Sequence, residues 1–560
     1  MVFTKLKRRY KNLNRLRQIV NILIKYGFDY FVKQLGLTNL ISKGGKILKL
    51  KPSKIAQLPL PIRVRLALEE LGPTFVKLGQ ILSTRPDLIP QDYIIELQKL
   101  QDEVPPFAYD QVEQIIKREL GVDIPKIFKS FEQKPFAAAS LGQVHQAILE
   151  DGDKAVVKVQ RPDIEKVIET DLDILFDLAR LTERHIPASR LYDPVGIVEE
   201  FTKVIRSELD YGTEGRNAER FMKNFEDNKT IYTPKIYWEF SSRRILTMEL
   251  IEGIKINNLK ELDKIGYDRK KIAENVAKAF MKQILIDGFF HADPHPGNML
   301  VMKDEVIGFM DFGMTGRLDE EIREKGIDLF IAVLERNPNK IINEMLNLGI
   351  TYQEIDTRSL KIDIKEMLDQ YYDKPLKEIK LGELISQLVE ISIKYHIKMP
   401  AEFALLGKSL ITIEGIGSEL DPDFNLAEIA KPYAKDLILE RKSPQRLILK
   451  LLNDLAELYN LIILIPRQLS KTLKKMEEGV FKLEFQHRGL ENLISALDRS
   501  TNRLSYSLIL AAIIIGSSLI MQTDKGPHFM GFPVIGVLGF LVAGVLGLGL
   551  VIIILRSGKM

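Results

Sequence analysis

Two stretches near the C-terminus constrain this chain more than any other feature. Residues 504–522 (LSYSLILAAIIIGSSLIMQ) and 532–555 (FPVIGVLGFLVAGVLGLGLVIIIL) hold no charged residue. Each is long enough to cross a hydrocarbon core of about 30 Å as a helix, the form in which a segment satisfies its own backbone polar groups. Residues 501–560 are therefore predicted to form a two-helix transmembrane hairpin. Arg503 precedes the first span, Arg556 and Lys559 follow the second, and Lys525 in the intervening loop is offset by Asp524. The positive-inside rule then predicts a two-pass membrane protein with both ends, and the large N-terminal part, in the cytoplasm. Contact with membrane lipids follows. Gly539, Ala543 and Gly547 form a small-residue stripe on which another helix can pack, so helix–helix association through the hairpin is a further expectation.

The rest of the chain has the composition of a folded protein. A length of 560 residues suggests three or four units, and 45% hydrophobic with 28% charged residues leaves enough apolar material for packed cores. The net charge of +4 is small for this size, so no nucleic acid partner is expected. The absence of cysteine excludes disulfides, thiolate metal sites and cysteine nucleophiles. Charge is concentrated at the start, where residues 1–17 hold Lys5, Lys7, Arg8, Arg9, Lys11, Arg15 and Arg17 without an acidic residue. A basic amphipathic segment over 1–50 could lie on an anionic membrane surface or present a solvated helical face.

Periodicity divides the chain further. Residues 51–130 read as helices broken by proline turns. Residues 131–253 hold short β-branched runs, with KAVVKVQ following the acidic turn EDGD and RRILTMELIEG ending at a glycine. A larger, mostly helical region spans 254–440, and 441–500 reads as an amphipathic helical linker. Within it, 447–469 is unusually apolar and fits either a bilayer surface or a protein groove.

The chemistry concentrates in GFFHADPHPGNMLV, residues 288–301. Asp293 and Asn298 stand five residues apart on a proline-stiffened loop, and Asp311-Phe312-Gly313 follows an apolar hairpin thirteen residues later. Phosphoryl transfer from ATP needs a carboxylate near the attacking hydroxyl, and an oxygen ligand and a second carboxylate for magnesium. The pattern H-x-D-x-x-x-x-N followed by D-F-G supplies these groups, with Asp293 as base and Asn298 and Asp311 as Mg2+ ligands. A competing reading takes His291, Asp293 and His295 as transition-metal ligands; it leaves Asn298 and the D-F-G unexplained. Upstream, Lys158 in Ala155-Val156-Val157-Lys158 occupies the strand position of a phosphate-binding lysine. Glu208, Asp210 and Glu214 are candidate carboxylate partners for it. No G-x-G-x-x-G precedes Lys158; its place is taken by Ala137-Ala138-Ala139-Ser140-Leu141-Gly142-Gln143-Val144. Gly407-Lys408-Ser409 ends like a Walker motif, but residue 402 is glutamate where the first glycine belongs.

Together these motifs resemble the UbiB/ABC1 (aarF-domain-containing) family of atypical kinase-like proteins, in its bacterial UbiB branch. The residues carrying the resemblance are Lys77-Leu78-Gly79-Gln80, PFAAASLGQVH, VVKVQRP, Glu208-Leu209-Asp210, HADPHPGN, the D-F-G, and LLGKSLITIEGIGSELDP. They cover roughly residues 60–430. The family implies an α+β, protein-kinase-like two-lobe fold with a helical N-terminal extension packed over the active site. It implies that Lys77 projects toward Glu208 and Asp210 where a peptide would otherwise sit, favouring ATPase activity or a small or lipid-like substrate. It pairs Lys158 with Glu214, gives the alanine loop the phosphates, and makes Met248, Glu249 and Ile251 part of the hinge that takes adenine. ATP and Mg2+ are the implied cofactors. The implied role is support of isoprenoid-quinone biosynthesis, with quinone precursors and quinone-biosynthesis enzymes as partners. A nucleotide-binding pseudokinase scaffold is the alternative. Gly215, where the family usually has alanine, departs from the pattern.

Overall fold

The computed structural model describes residues 2–37, 58–85, 88–100, 104–187, 189, 193–351, 355–370, 380–441, 490–522, 527–529 and 531–556. The chain divides into two compact units, Met1–Arg446 and Leu447–Met560.

The first unit is mixed α+β. Helices α1 (Val2–Lys25), α2 (Asp29–Gln34), α3 (Leu60–Leu71), α4 (Pro73–Leu82), α5 (Gln91–Leu97) and α6 (Tyr109–Leu120) precede the first strand. A five-stranded sheet then forms from β1 (Phe128–Phe131), β2 (Ala137–Ala138), β3 (Gly142–Leu149), β4 (Lys154–Gln160) and, later in the chain, β6 (Ile245–Glu249). Two-residue alternation gives the sheet two chemistries. Ala155, Val157 and Val159 are wholly buried in a cluster with Val112, Ile115 and Ile116 of α6. Val156 and Lys158 therefore face the other way, and Val144 stands directly across from Lys158 in the antiparallel register.

Helices α7 (Ile164–His185), α8 (Pro194–Glu208) and α9 (Tyr211–Asn224) separate β4 from β5 (Ile231–Tyr232) and β6. Beyond β7 (Ile254–Lys255) come α10 (Leu259–Ile265) and α11 (Arg269–Met281), which runs into a π-helical turn, Lys282–Asp287. Gly288 closes that turn at φ +58°, where an added Cβ would meet the Leu318 carbonyl oxygen at 2.7 Å. Only glycine enters the next strand by this route. That strand, β8 (Phe289–His291), pairs with β11 (Thr315–Arg317), while β9 (Met299–Val301) and β10 (Ile307–Phe309) form the hairpin between them. The helical remainder comprises α12 (Glu320–Leu334), α13 (Pro338–Leu348), α14 (Thr357–Asp369), α15 (Leu381–Lys394), α16 (Ala401–Leu420) and α17 (Leu426–Arg441). Its main core gathers Phe280, Phe289, Phe290, Phe309 and Phe312, each essentially inaccessible to solvent.

Part of the N-terminal segment is amphipathic as expected, with its apolar face packed on the chain itself. From Arg15 onward α1 lies on protein: Ile19, Val20 and Ile22 are buried, and Arg15 donates to Asp171 Oδ1 at 2.7 Å and to the Leu71 carbonyl at 2.6 Å. One face of this stretch thus packs on protein, where a buried carboxylate on α7 holds Arg15, while Arg17, Gln18, Asn21 and Lys25 stay exposed on the other. The apolar stretch 447–469 lies outside the described residues.

The second unit contains α18 (Leu490–Met521) and α19 (Val534–Arg556), joined through the short pair β12 (His528–Phe529) and β13 (Phe532–Pro533). Thr501–Met521 is long and apolar enough to cross a membrane, with mean hydropathy 2.1. The described apolar part of α19, Val534–Gly549, is shorter. Among the described residues one helix, not two, thus meets the length criterion. The small-residue stripe is used within the chain. A Cβ on Gly539 would collide with the Ser517 side chain, Ala543 is 4% exposed, and Gly547 approaches Leu510.

Candidate active site

A cleft of about 1040 Å³ opens on the Lys158 face of the sheet. Lys158 Nζ donates to Glu214 of α9 at 2.7 and 3.0 Å, and Glu214 is 6% exposed. Burial alone would depress the ammonium, but the carboxylates of Asp311 and Glu214 outweigh it and hold its pKa above the ordinary lysine value. Lys158 in turn holds Asp311 below the usual carboxylate range, against the opposing effect of burial. Glu214 is pushed up, burial outweighing Lys158. One buried and one exposed carboxylate, Glu214 and Asp311, thus share one ammonium, an excess of negative charge that a divalent cation would balance.

The loop below is tightly wired. His291 is fully buried; its Nδ1 accepts from the Asp293 amide at 3.2 Å, leaving Nε2 to face the Met310 carbonyl at 3.3 Å. Burial lowers the His291 pKa, so the ring is neutral and both nitrogens are committed to backbone. It sets the loop's shape and is not available to ligate a metal. Among the described residues no group of three or more His, Cys, Asp or Glu could hold an ion, which removes the transition-metal reading. Asn298 Nδ2 donates to the Asp293 carbonyl at 3.2 Å, leaving its carboxamide oxygen as a possible ligand atom. Asp311 sits at φ +55° and accepts from the Gly313 amide at 3.1 Å. Asp293, Asn298 and Asp311 all line the cleft. A magnesium ion bound through one or two protein oxygens and phosphate oxygens suits this sparse set.

The helical extension closes the opposite wall. Lys77 Nζ lies 3.1 Å from Glu208 Oε2, and both side chains are at least 85% buried. Asp210 also lines the cleft, but its carboxylate caps α9 through Gly212 at 3.0 Å and approaches Arg216 at 3.4 Å. The other K-x-G-Q residues position Lys77. Gly79 has no room for a Cβ against Leu100, and Gln80 donates to the Leu100 carbonyl at 3.2 Å.

The alanine loop divides by face. Ala138, Ala139, Ser140, Leu141 and Gly142 line the cleft; Ala137 starts the short strand opposite Val144. The Ala139 amide donates to the Gly142 carbonyl at 2.8 Å, and its own carbonyl accepts from Arg161 at 3.1 Å. Gly142 is required because a Cβ there would meet the Tyr211 hydroxyl and the Val159 carbonyl. Gln143 points away: it is buried and bonded to the Phe107 amide at 2.9 Å, tying the sheet to the extension. Met248, Glu249 and Ile251 do not line the cleft either. Glu249 accepts from Tyr232 at 2.8 Å, and Ile251 is buried against Gly308. The buried Ser140 Oγ, Glu208 Oε1 and Tyr211 hydroxyl have no hydrogen-bond partner among the described residues, and all three residues line the cleft. Orphaned polar atoms of this kind fit a polar ligand.

One residue at the centre escaped the motif reading. Lys408 of α16 reaches Asp293 Oδ1 at 3.3 Å, and Ser409 donates to the Ala292 carbonyl at 3.3 Å. In the sequence Lys408 stood out as a failed Walker lysine and as part of the family-like stretch LLGKSLITIEGIGSELDP, with no role attached to it. Its real signal is the helical spacing of Lys408, Ile411 and Thr412, all three of which line the cleft. Gly215 has a packing reason: a Cβ there would come within 2.8 Å of the Trp238 ring.

Three family models match the chain. They are the ABC1 atypical kinase-like domain over residues 99–345, the UbiB helical domain over 364–425, and the ABC1/UbiB kinase-like C-terminal domain over 488–556. The chain is 35% identical to an uncharacterised protein of the hydrogenase 1 5' region of Clostridium pasteurianum, over 98% of this chain and 99% of that one. It is 34% identical to a probable protein kinase UbiB of Marinobacter nauticus, over 84% of this chain and 87% of that one. The Arabidopsis thaliana chloroplastic protein ACTIVITY OF BC1 COMPLEX KINASE 7 is 40% identical over 67% of this chain and 54% of its own length.

Proposed function

The chain belongs to the ABC1/UbiB family of atypical kinase-like proteins, with a kinase-like mixed α+β fold, and from that premise we propose that it is a membrane-anchored, Mg-ATP-dependent phosphotransferase or ATPase. Its proposed role is support of isoprenoid-quinone biosynthesis, by action on a small or lipid-like substrate such as a quinone precursor, or by ATP hydrolysis. Support comes from the UbiB relatives and from Thr501–Met521, which is apolar enough to anchor the chain. We extend the anchor to a two-pass hairpin with the first unit in the cytoplasm, on the charge distribution around the two apolar runs.

The observation that carries the reading is the Lys158–Glu214 pair at 2.7 Å, facing Asp293, Asn298 and Asp311 across one cleft. Lys158 would hold phosphate oxygens, kept charged by its two carboxylates and aimed by Glu214. Asn298 and Asp311 would hold Mg2+, which when bound offsets charge on the phosphates. Asp293 would take the proton of the attacking hydroxyl or water, while Lys77 and Glu208 narrow the approach to small groups. The test is calorimetric titration of the full chain with an ATP analogue, with and without magnesium. Asp311→Asn should weaken magnesium-dependent binding by about 30-fold or more, the loss of one charged ligand; unchanged binding removes the reading.

The Lys77–Glu208 contact also favours a second reading, a nucleotide-holding scaffold that recruits quinone-biosynthesis enzymes without transferring phosphate. Full function in cells of an Asp293→Asn protein would select it.

A further inference from the structure

Helix α9 carries Glu214 and, one turn later, a second polar side chain that no motif accounts for. Asn217 is 5% exposed, and its Nδ2 donates to the Phe312 carbonyl at 3.0 Å. A carboxamide is costly to bury unless it is hydrogen-bonded. Here the bond reaches 95 residues along the chain, to the middle of the D-F-G.

The triplet is held differently at its ends and at its centre. Met310 and Met314 flank it, and both are tied to the loop that carries Asp293 and Asn298. The Met310 amide donates to the Asn298 carbonyl at 2.9 Å, and the Met314 carbonyl accepts from the Ala292 amide at 3.1 Å. Phe312, between them, is tied to α9 instead. Its neighbour Asp311 sits at φ +55°, a backbone conformation that a side chain disfavours and that its surroundings must hold. The bond from Asn217 falls one residue from that strained position.

Glu214, Asn217 and Phe221 follow one another at helical spacing on one face of α9. Glu214 takes Lys158 at 2.7 Å, Asn217 takes the Phe312 carbonyl, and Phe221 packs on the Phe312 ring with centroids 5.0 Å apart. One helix thus gauges the distance between the Lys158–Glu214 pair and Asp311. Ring packing tolerates sliding, whereas a hydrogen bond fixes an atom, because it weakens steeply with length and angle.

We propose that Asn217 is a positioning residue: by holding the Phe312 carbonyl it sets Asp311 against Lys158 and Glu214, and so sets how tightly the site takes the magnesium of Mg-ATP. The role rests on the nucleotide reading and deepens it.

The test is calorimetric titration of the full chain with a non-hydrolysable ATP analogue at graded magnesium concentrations. Asn217→Leu keeps the branched shape and donates nothing. It should raise the magnesium concentration for half-maximal binding about 10-fold or more, as loss of a contact behind a metal ligand does, with magnesium-free affinity within about threefold of wild type. Asn217→Ala repeats the deletion without risk of a clash and should shift the midpoint in the same direction. Phe225→Leu, at the C-terminal cap of α9, is the packing control. It should lower stability to chemical denaturation, yet leave the magnesium midpoint within about twofold of wild type. An unchanged midpoint in the Asn217 variants, or an equal shift in Phe225→Leu, overturns the proposal while leaving the nucleotide reading in place. A wild type that binds the analogue without regard to magnesium removes the nucleotide reading itself, and the role of Asn217 with it.

Discussion

The cleft has an inner and an outer side, and the two are built on different physics. Inside, the buried Glu214 and the mostly buried Lys158 share a low-dielectric wall, and Asp311, exposed at its edge, adds its charge to theirs. Outside, Asp293 and Lys408 form a looser contact at 3.3 Å, their side chains 40% and 27% exposed. Buried charges that lose a partner become costly, whereas half-exposed ones are rehydrated. The inner side should therefore govern whether a nucleotide binds and whether the lobe is stable. The outer side should govern what happens after binding.

The largest effect is expected from Lys158→Met. It removes the phosphate-holding ammonium and strands two carboxylates. Nucleotide affinity should fall about 100-fold, and stability by about 3 kcal/mol, limited by proton uptake on the freed carboxylates. Calorimetric titration and chemical denaturation measure the two. A variant that binds normally would make the inner side no more important than the outer.

The outer side should answer differently. Asp293→Asn should cut ATP turnover by about 10² to 10⁴ if it is the proton acceptor, with nucleotide affinity within about threefold of wild type. Lys408→Met should cut turnover about 10-fold, with stability changed by no more than about 0.5 kcal/mol, since the contact is solvent-screened. If Lys408 acts through Asp293, the double variant should be no slower than Asp293→Asn alone. Additive losses would give Lys408 a partner other than Asp293.

The same division explains what the sequence displayed. Inner residues sit in short strings whose spacing is set by one strand or one tight loop: Lys158 in AVVK, and Asp311 beside its Phe and Gly. Such strings are visible because their residues are neighbours in the chain. Lys408 is 115 residues from Asp293, on a helix whose cleft-facing side is three or four residues apart, so only the folded chain joins them. The alanine loop was legible as a loop but not as two faces, because strand alternation turns Gln143 toward Phe107 while Val144 stays with Lys158. His291 looked like a ligand because the sequence cannot show that both of its nitrogens are spent on backbone.

The smallest expected effect concerns how the outer wall is held. Glu414 of α16 accepts from the Leu381 and Gly382 amides at 2.6 and 2.9 Å, so it caps α15 from a neighbouring helix. It is 8% exposed, and burial pushes its carboxyl up to about 7 despite those two donors. Below about pH 4.5 the group is protonated whether the chain is folded or not, and costs nothing. As pH rises from there to about 7 the unfolded chain ionises first, so stability drains away, by about 3 kcal/mol at most, and levels off above 7. Glu414→Gln keeps one acceptor for the amides and cannot ionise. The difference in stability between wild type and this variant should therefore fall across pH 4.5–7 and stay flat beyond. Chemical denaturation at a series of pH values measures it, and turnover at pH 7.5 should change less than twofold. A pH-independent difference would mean that the two amides hold Glu414 ionised throughout, leaving the outer side of the cleft braced by charge, as the inner side is.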